Sequence, residues 1–274
     1  MNETPDKEQP LIATLADGVL TLVLNRPQRL NAVNQELIGL LVEQVDRAAG
    51  EQEVRAVLMT GTGRAFCAGA DLAGGGPSSG LGSTGADGKP DLGEVMDRLY
   101  NPLIRAIRAL PKPVIAAVNG VAAGGGANLA LAADIVLAAR SSRFDQAFVR
   151  IGLLPDLGGT WFLPHTVGDA RARALAMLGS SLTAEEACRM GMVWQVLDDA
   201  ALMDEAGKLA RRMAAGATLS YAAIKRALNA AATNTLDKQL DLERDSQRLL
   251  GQSADFKEGV AAFLAKRPAN FTGR

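Results

Sequence analysis

The chain reads as an α/β protein with a helical C-terminal region. Three observations carry that reading. Short apolar runs rich in β-branched residues alternate with segments of helical period over the first 200 residues. Residues 201–265 show helical period almost throughout. Two glycine-bearing segments each follow an apolar run and lead into the next element, as a strand turning sharply into a helix would.

In chain order, residues 1–10 are polar and acidic, contain no signal-peptide core, and read as a disordered tail. Val19 to Leu24 is apolar on both alternating sets, which predicts a strand buried on two faces. Asn25-Arg26-Pro27-Gln28 turns. Asn34 to Ala49 places Leu37, Leu40, Leu41, Val45 and Ala48 on one face, which predicts an amphipathic helix. Val54 to Thr60 is the next strand. Residues 74–91 hold seven glycines among Ser, Pro and Asp and read as a flexible loop. A helix follows with Val95, Leu99, Leu103, Ile107 and Leu110 as its apolar stripe, stopped by Pro111 and Pro113. Val114 to Val118 and Ile135 to Ala139 are strands, and Thr183-Ala184-Glu185-Glu186 caps a helix. The expected organisation is a tail over 1–10, a core over 11–200 and a helical region over 201–274.

Composition bounds the function. The chain has 274 residues, of which 48% are hydrophobic and 22% charged, enough for a sizeable core. A net charge of -1 gives no electrostatic case for nucleic acid or an anionic membrane. The most apolar helical run, around Leu129 to Ala139, is interrupted by Asp134, and no stretch reaches the roughly 20 apolar residues of a membrane span. Two cysteines, Cys67 and Cys188, suggest a reducing compartment, so a cytoplasmic enzyme is expected.

The glycine segments are Gly61-Thr62-Gly63-Arg64-Ala65-Phe66-Cys67-Ala68-Gly69-Ala70-Asp71-Leu72 and Asn119-Gly120-Val121-Ala122-Ala123-Gly124-Gly125-Gly126-Ala127-Asn128-Leu129. A helix start leaves backbone N–H groups without intrahelical partners, and its dipole favours negative charge there. Two such starts aimed at one point, with Ala70 and Gly125 supplying the N–H groups, would form an oxyanion hole built from backbone alone. Two tight turns without chemistry are the alternative. The spacing fits neither a dinucleotide fingerprint nor a phosphate loop.

Together, and in this order, the two segments resemble the crotonase superfamily, which includes the enoyl-CoA hydratases and isomerases. The likeness spans nearly the whole chain. It includes Asn25-Arg26-Pro27-Gln28-Arg29-Leu30-Asn31-Ala32 and Gly152-Leu153-Leu154-Pro155-Asp156-Leu157-Gly158-Gly159-Thr160. The resemblance implies a repeated ββα core, a homotrimer or dimer of trimers, and an acyl-CoA thioester as substrate. It implies no separate cofactor, coenzyme A being part of that substrate. It places the thioester oxygen on the Ala70 and Gly125 N–H groups. Arg29, Leu30, Ala32, Ala68, Asp71 and Leu72 fall where the family contacts pantetheine and nucleotide.

Hydratases of the family carry two glutamates, at positions where this chain has Asn128 and Phe148. Neither residue can act as a base, which argues against water addition. Asp156, between leucines, is the acid left in the region, and desolvation would make it a better base. A turn or capping role is its other reading. With Gln146-Ala147-Phe148, Gly159-Thr160-Trp161 and the run from Asn234 to Asp245, the pattern is similar to the 1,2-epoxyphenylacetyl-CoA isomerases. It also resembles the Δ3,Δ2-enoyl-CoA isomerases. Enoyl-CoA hydration and non-catalytic acyl-CoA binding stay open as alternatives. Cys67 and His165 could be imagined as a nucleophile and its base, or as a buried thiol and a surface residue. Trp161 and Phe148 suit either an acyl pocket or the core. Phe263 and Lys266 suit either a subunit contact or a plain amphipathic helix.

Overall fold

The apolar runs pair into two sheets in a computed structural model, which describes residues 9–72, 85, 88–89 and 91–274. β1 (Leu11–Ala16) and β2 (Val19–Leu24) form an antiparallel hairpin. Its turn, Asp17-Gly18, has positive φ at both residues, a conformation that Asp tolerates and Gly favours. β2 then pairs in parallel with β3 (Ala56–Gly61), followed by β5 (Val114–Val118), β7 (Ile135–Ala139) and β10 (Gln195–Leu197). A second sheet has the order β4 (Ala65–Cys67), β6 (Val121–Ala123), β8 (Arg143–Asp145), β9 (Ser181–Thr183). Each repeat thus sends a long strand into the first sheet and a short one into the second, then a helix.

The inner strands of the first sheet are buried on both faces, and their side chains alternate between them. Val57 and Met59 face the main core with Leu37, Leu41 and Val45 of α1 (Gln35–Gly50) and Leu103 and Ile107 of the helix after the glycine-rich loop. Ala56 and Leu58 face the other way, against Leu202, Ala206, Ala210 and Ala214 of α8 (Leu202–Ala214). The first helix beyond residue 200 therefore closes a layer of the core. α1 starts at Asn34, whose side chain accepts from Leu37 N–H, and ends on the buried Lys112 ammonium, which donates to the carbonyls of Ala48 and Glu51. A cation there complements the helix dipole.

Between these ends lie α2 (Leu92–Val95), a π-helical turn at Met96–Tyr100, α3 (Asn101–Ala109) and α4 (Gly125–Leu131). Then come α5 (Gly159–Val167), α6 (Asp169–Leu178) and α7 (Ala184–Met190), the last with the expected capping box. α9 (Thr218–Ala231), α10 (Leu236–Leu250) and α11 (Ala254–Leu264) complete the helical region. They leave Ile224, Leu228, Leu236, Leu240, Phe256 and Phe263 exposed. Among the described residues no helix is long and apolar enough to cross a membrane.

Two sequence expectations change in detail. The stripe through Val95, Leu99, Leu103, Ile107 and Leu110 does pack on the core, but the π turn inserts a residue that also turns Tyr100 inward beside Leu99. Gln9 and Pro10, read as tail, are attached: their carbonyls accept from the Asn25 side chain and backbone N–H. The rest of the tail, residues 1–8, and most of the 74–91 loop lie outside the described residues.

Asn31 ties the second sheet to the first turn. It is fully buried with φ 56°, accepts from Arg26 N–H at 2.8 Å, and donates to the carbonyls of Thr62 at 3.0 Å and Ala65 at 2.7 Å. Asn31→Ala removes these bonds, strands buried carbonyls and strains the left-handed backbone. A loss of about 3 kcal/mol, read from the denaturant midpoint, is expected.

Candidate active site

Close backbone approach builds the site. After β4 the chain bends at Gly69 (φ 87°), and Ala70 pairs with Val33. Val33 N–H donates to Gly69 O at 2.7 Å, Asp71 N–H to Val33 O at 2.9 Å, and Ala68 N–H to Leu30 O at 3.0 Å. The second segment turns at Gly124 (φ 53°), whose N–H is held by Asp145 O at 2.8 Å, and α4 begins at Gly125. Asn119 joins the two segments: its side chain accepts from Gly61 N–H and donates to Gly63 O.

The glycines are obligatory at two of these contacts. A Cβ on Gly126 would overlap the Cys67 carbonyl. A Cβ on Gly69 would stand 2.8 Å from Ala123 O and 3.4 Å from Gly125 N, so the two segments touch where the donors lie. Among the described residues, neither Ala70 N–H nor Gly125 N–H has a backbone acceptor. Both residues line one cavity of about 520 Å³.

Asp156 faces the same cavity from the loop before α5. Leu157 (φ 47°) and Gly158 (φ 80°) wind this loop back on itself. Asp156 Oδ1 is buried without a hydrogen-bond partner, and a Cβ on Gly125 would lie 3.2 Å from it. The free carboxylate oxygen therefore sits beside one of the backbone donors. Burial pushes the Asp156 carboxyl up to about 6, opposed by its own backbone N–H. The cavity it faces is lined largely by apolar side chains, among them Leu72, Val95, Phe148, Ile151 and Leu154. This environment keeps a carboxylate basic near neutral pH and keeps a backbone dipole strong.

The other predicted residues divide. Ala68 and Leu72 line the cavity with Ala70, Gly125 and Asp156, whereas Arg29, Leu30, Ala32 and Asp71 do not. Arg29 lines a neighbouring polar recess with Arg26, Gln28 and Arg47. Leu30 and Ala32 act through their carbonyls, which accept from Ala68 N–H and from the Arg26 guanidinium. Asp71 is 6% exposed and ion-paired to Arg26 at 2.7 Å, so its carboxylate braces the first segment. Cys67 is wholly buried, its thiol pushed up to about 12 by desolvation, which makes it a poor nucleophile. His165 is on the surface, stacked on Trp161 with Nδ1 at 2.6 Å from the Trp161 carbonyl.

Two features escaped the sequence. Tyr100 is a cavity residue, its phenol pushed up by burial and by Asp156 and Cys67 nearby. Only the phase shift of the π turn brings it there. Gln146 and Asn128 form a buried amide pair behind the Asp156 loop, with Gln146 Nε2 donating to Asn128 Oδ1 at 3.0 Å. Two amides with no carboxylate between them leave no periodic signal.

The raised Asp156 carboxyl has a measurable consequence. The folded chain holds this proton more tightly than the unfolded chain. Its contribution to stability is present below the ordinary carboxylate range and is lost as pH rises through about 6. Asp156→Asn should therefore be more stable than the parent at pH 8, by up to about 3 kcal/mol, with the difference vanishing near pH 4. Denaturant midpoints at the two pH values decide it. Gly126→Ala should cost several-fold in activity and about 2 kcal/mol or more in stability, since both partners in the overlap are backbone.

Known proteins share this arrangement. The model of the enoyl-CoA hydratase/isomerase family matches residues 14–274. The 1,2-epoxyphenylacetyl-CoA isomerase of Escherichia coli K12 is 53% identical over 264 residues, covering 96% of this chain and 98% of that one. A Rhodobacter capsulatus protein named "Probable enoyl-CoA hydratase" is 48% identical, over 95% of this chain and 96% of its own. The crystal structure of an enoyl-CoA hydratase from Bacillus anthracis superposes with a TM-score of 0.89 at 29% identity, over 97% of this chain and all of that one. Glycine-made backbone donors, a cavity beyond the ends of β4 and β6 in a ββα repeat, and sequence likeness over nearly its full length agree: the chain belongs to the enoyl-CoA hydratase/isomerase family, the crotonase superfamily.

Proposed function

We propose that the chain isomerises acyl-CoA thioesters through an enolate held by the N–H groups of Ala70 and Gly125, with Asp156 as the single acid/base. The observation that carries this reading is that, among the described residues, Asp156 is the one carboxylate lining the cavity with the donors, with Asn128 and Phe148 where two glutamates would serve water addition. For a 3-enoyl thioester, Asp156 takes a proton from C2, and the electron pair moves into the thioester carbonyl to give a dienolate. The two N–H groups stabilise the developing oxyanion. The protonated Asp156 returns the proton to C4, leaving the double bond between C2 and C3. Proton and electrons balance without a redox partner.

The acyl group we favour is the ring epoxide of phenylacetyl-CoA, converted to the oxepin thioester. The name of the 53% identical relative supports it, as does a cavity walled by Phe148, Tyr100 and aliphatic side chains. The same reading has the chain as a homotrimer or dimer of trimers, using the exposed apolar side chains of α9 to α11. It places the protein in the cytoplasm, in keeping with two unpaired cysteines.

A product assay tests the reading. The ring-epoxide thioester and a linear 3-enoyl thioester should both be isomerised, with a rate that rises as pH passes about 6. Asp156→Asn should bind the thioester and lose about 10³-fold or more in kcat. Turnover retained in that variant would refute Asp156 as the base. Hydration of crotonyl-CoA faster than either isomerisation would favour the second reading, a hydratase, which the names of several relatives support.

A further inference from the structure

Asp156 Oδ1 has no hydrogen-bond partner, and the carboxyl is otherwise met by the residue's own backbone N–H. The residue is held by its backbone carbonyl, which accepts from Gly159 N–H at 2.8 Å and from Asn128 Nδ2 at 2.8 Å. Asn128 lies on α4 three residues beyond Gly125, fully buried, and does not line the cavity. Its Oδ1 accepts from Gln146 Nε2 at 3.0 Å, which fixes which end of the amide points at Asp156. Gly159 packs so tightly on this amide that a Cβ there would overlap it. One short rigid helix thus carries both an oxyanion donor and, about one turn later, the clamp on the loop that bears the base.

We infer that Asn128 is a positioning residue: its amide, oriented by Gln146, registers the Asp156 carboxylate against the Gly125 N–H. The inference rests on the isomerase reading for its kinetic consequence, though not for its structural one. The side-chain chemistry is specific. A carboxylate at 128 would be acceptor-only and would repel the Asp156 carbonyl, and a longer side chain would collide with Gly159. The position is closed to the cavity, so it is withdrawn from direct contact with substrate or water.

The test is a carbon-13 titration of the Asp156 carboxyl in the full chain, beside kcat and KM on a linear 3-enoyl thioester. The variants are Asn128→Ala, Asn128→Asp and Gln146→Met. Among the described residues, Tyr100 from the π turn feels the Asp156 charge, and it and Cys67 of β4 beside it are both pushed up and neutral over the range. Asn128→Ala loosens the loop and admits water, so the Asp156 midpoint should fall by about one unit. Asn128→Asp adds a like charge, so it should rise by about one unit. In both, kcat should fall about 10-fold or more while KM stays within about three-fold, since the clamp orients the base and touches no substrate. Gln146→Met also removes a buried unpartnered oxygen, Gln146 Oε1, so it should keep the fold and show a smaller fall in kcat. It decides the matter if the Asn128 variants do not fold. Unmoved midpoints in folded variants, or unchanged kcat in Gln146→Met, would overturn the assignment. A parent with no isomerase turnover would sink the proposed function alone, and the titration would still decide the positioning role.

Discussion

The closest approach of the two backbone segments is the constraint on which everything else rests. The first turn of α4 lies directly on the end of β4, with no side chain between Gly126 and the Cys67 carbonyl or between Gly69 and the Ala123 carbonyl. Main-chain atoms at such range cannot drift independently. Asn119 and Asn31 reinforce the contact by tying the preceding turns to each other through buried side-chain bonds. The Ala70 and Gly125 N–H groups are therefore preorganised by the fold itself, which is what the proposed oxyanion role requires.

Asp156 works against that rigidity in electrostatic terms. An apolar cavity is unfavourable for a carboxylate, and the chain accepts the strain in exchange for a stronger base. Desolvation acts on both partners at once: it weakens the acid and strengthens the backbone dipoles that, in the proposed reaction, meet the substrate oxygen. Asp71, another acidic residue close to the donors in sequence, is ion-paired to Arg26 and does not line the cavity, which leaves Asp156 as the one carboxylate there among the described residues.

Much of the fold was legible because its strands are short, apolar and separated by clear turn chemistry. Val114 to Val118 and Ile135 to Ala139 match their strands residue for residue, and Asn34 caps α1 as its residue type predicts. The donor segments were legible through their glycines, because only glycine permits the approach they make. Tyr100 was not, since the hydrophobic period assumes 3.6 residues per turn and a π turn breaks it without a composition signal. The Asn128–Gln146 pair was not, because its meaning lies in a loop 28 residues downstream whose carbonyl it holds. The roles of Leu30 and Ala32 run through carbonyl oxygens, which side-chain identity does not report.

The surplus residue at Met96–Tyr100 lets one continuous helical stretch serve both the cavity and the core. Beyond it, Leu103 and Ile107 keep phase with the main core. Before it, Leu92, Val95 and Met96 are phased for the cavity. Val95 and Tyr100 belong to the main core as well as to the cavity wall, so a change in size at either is felt by the packing that stabilises the domain. Leu92 lines the cavity from outside that cluster and is the upstream side chain that can be exchanged while the register of α3 against α1 stays as it is.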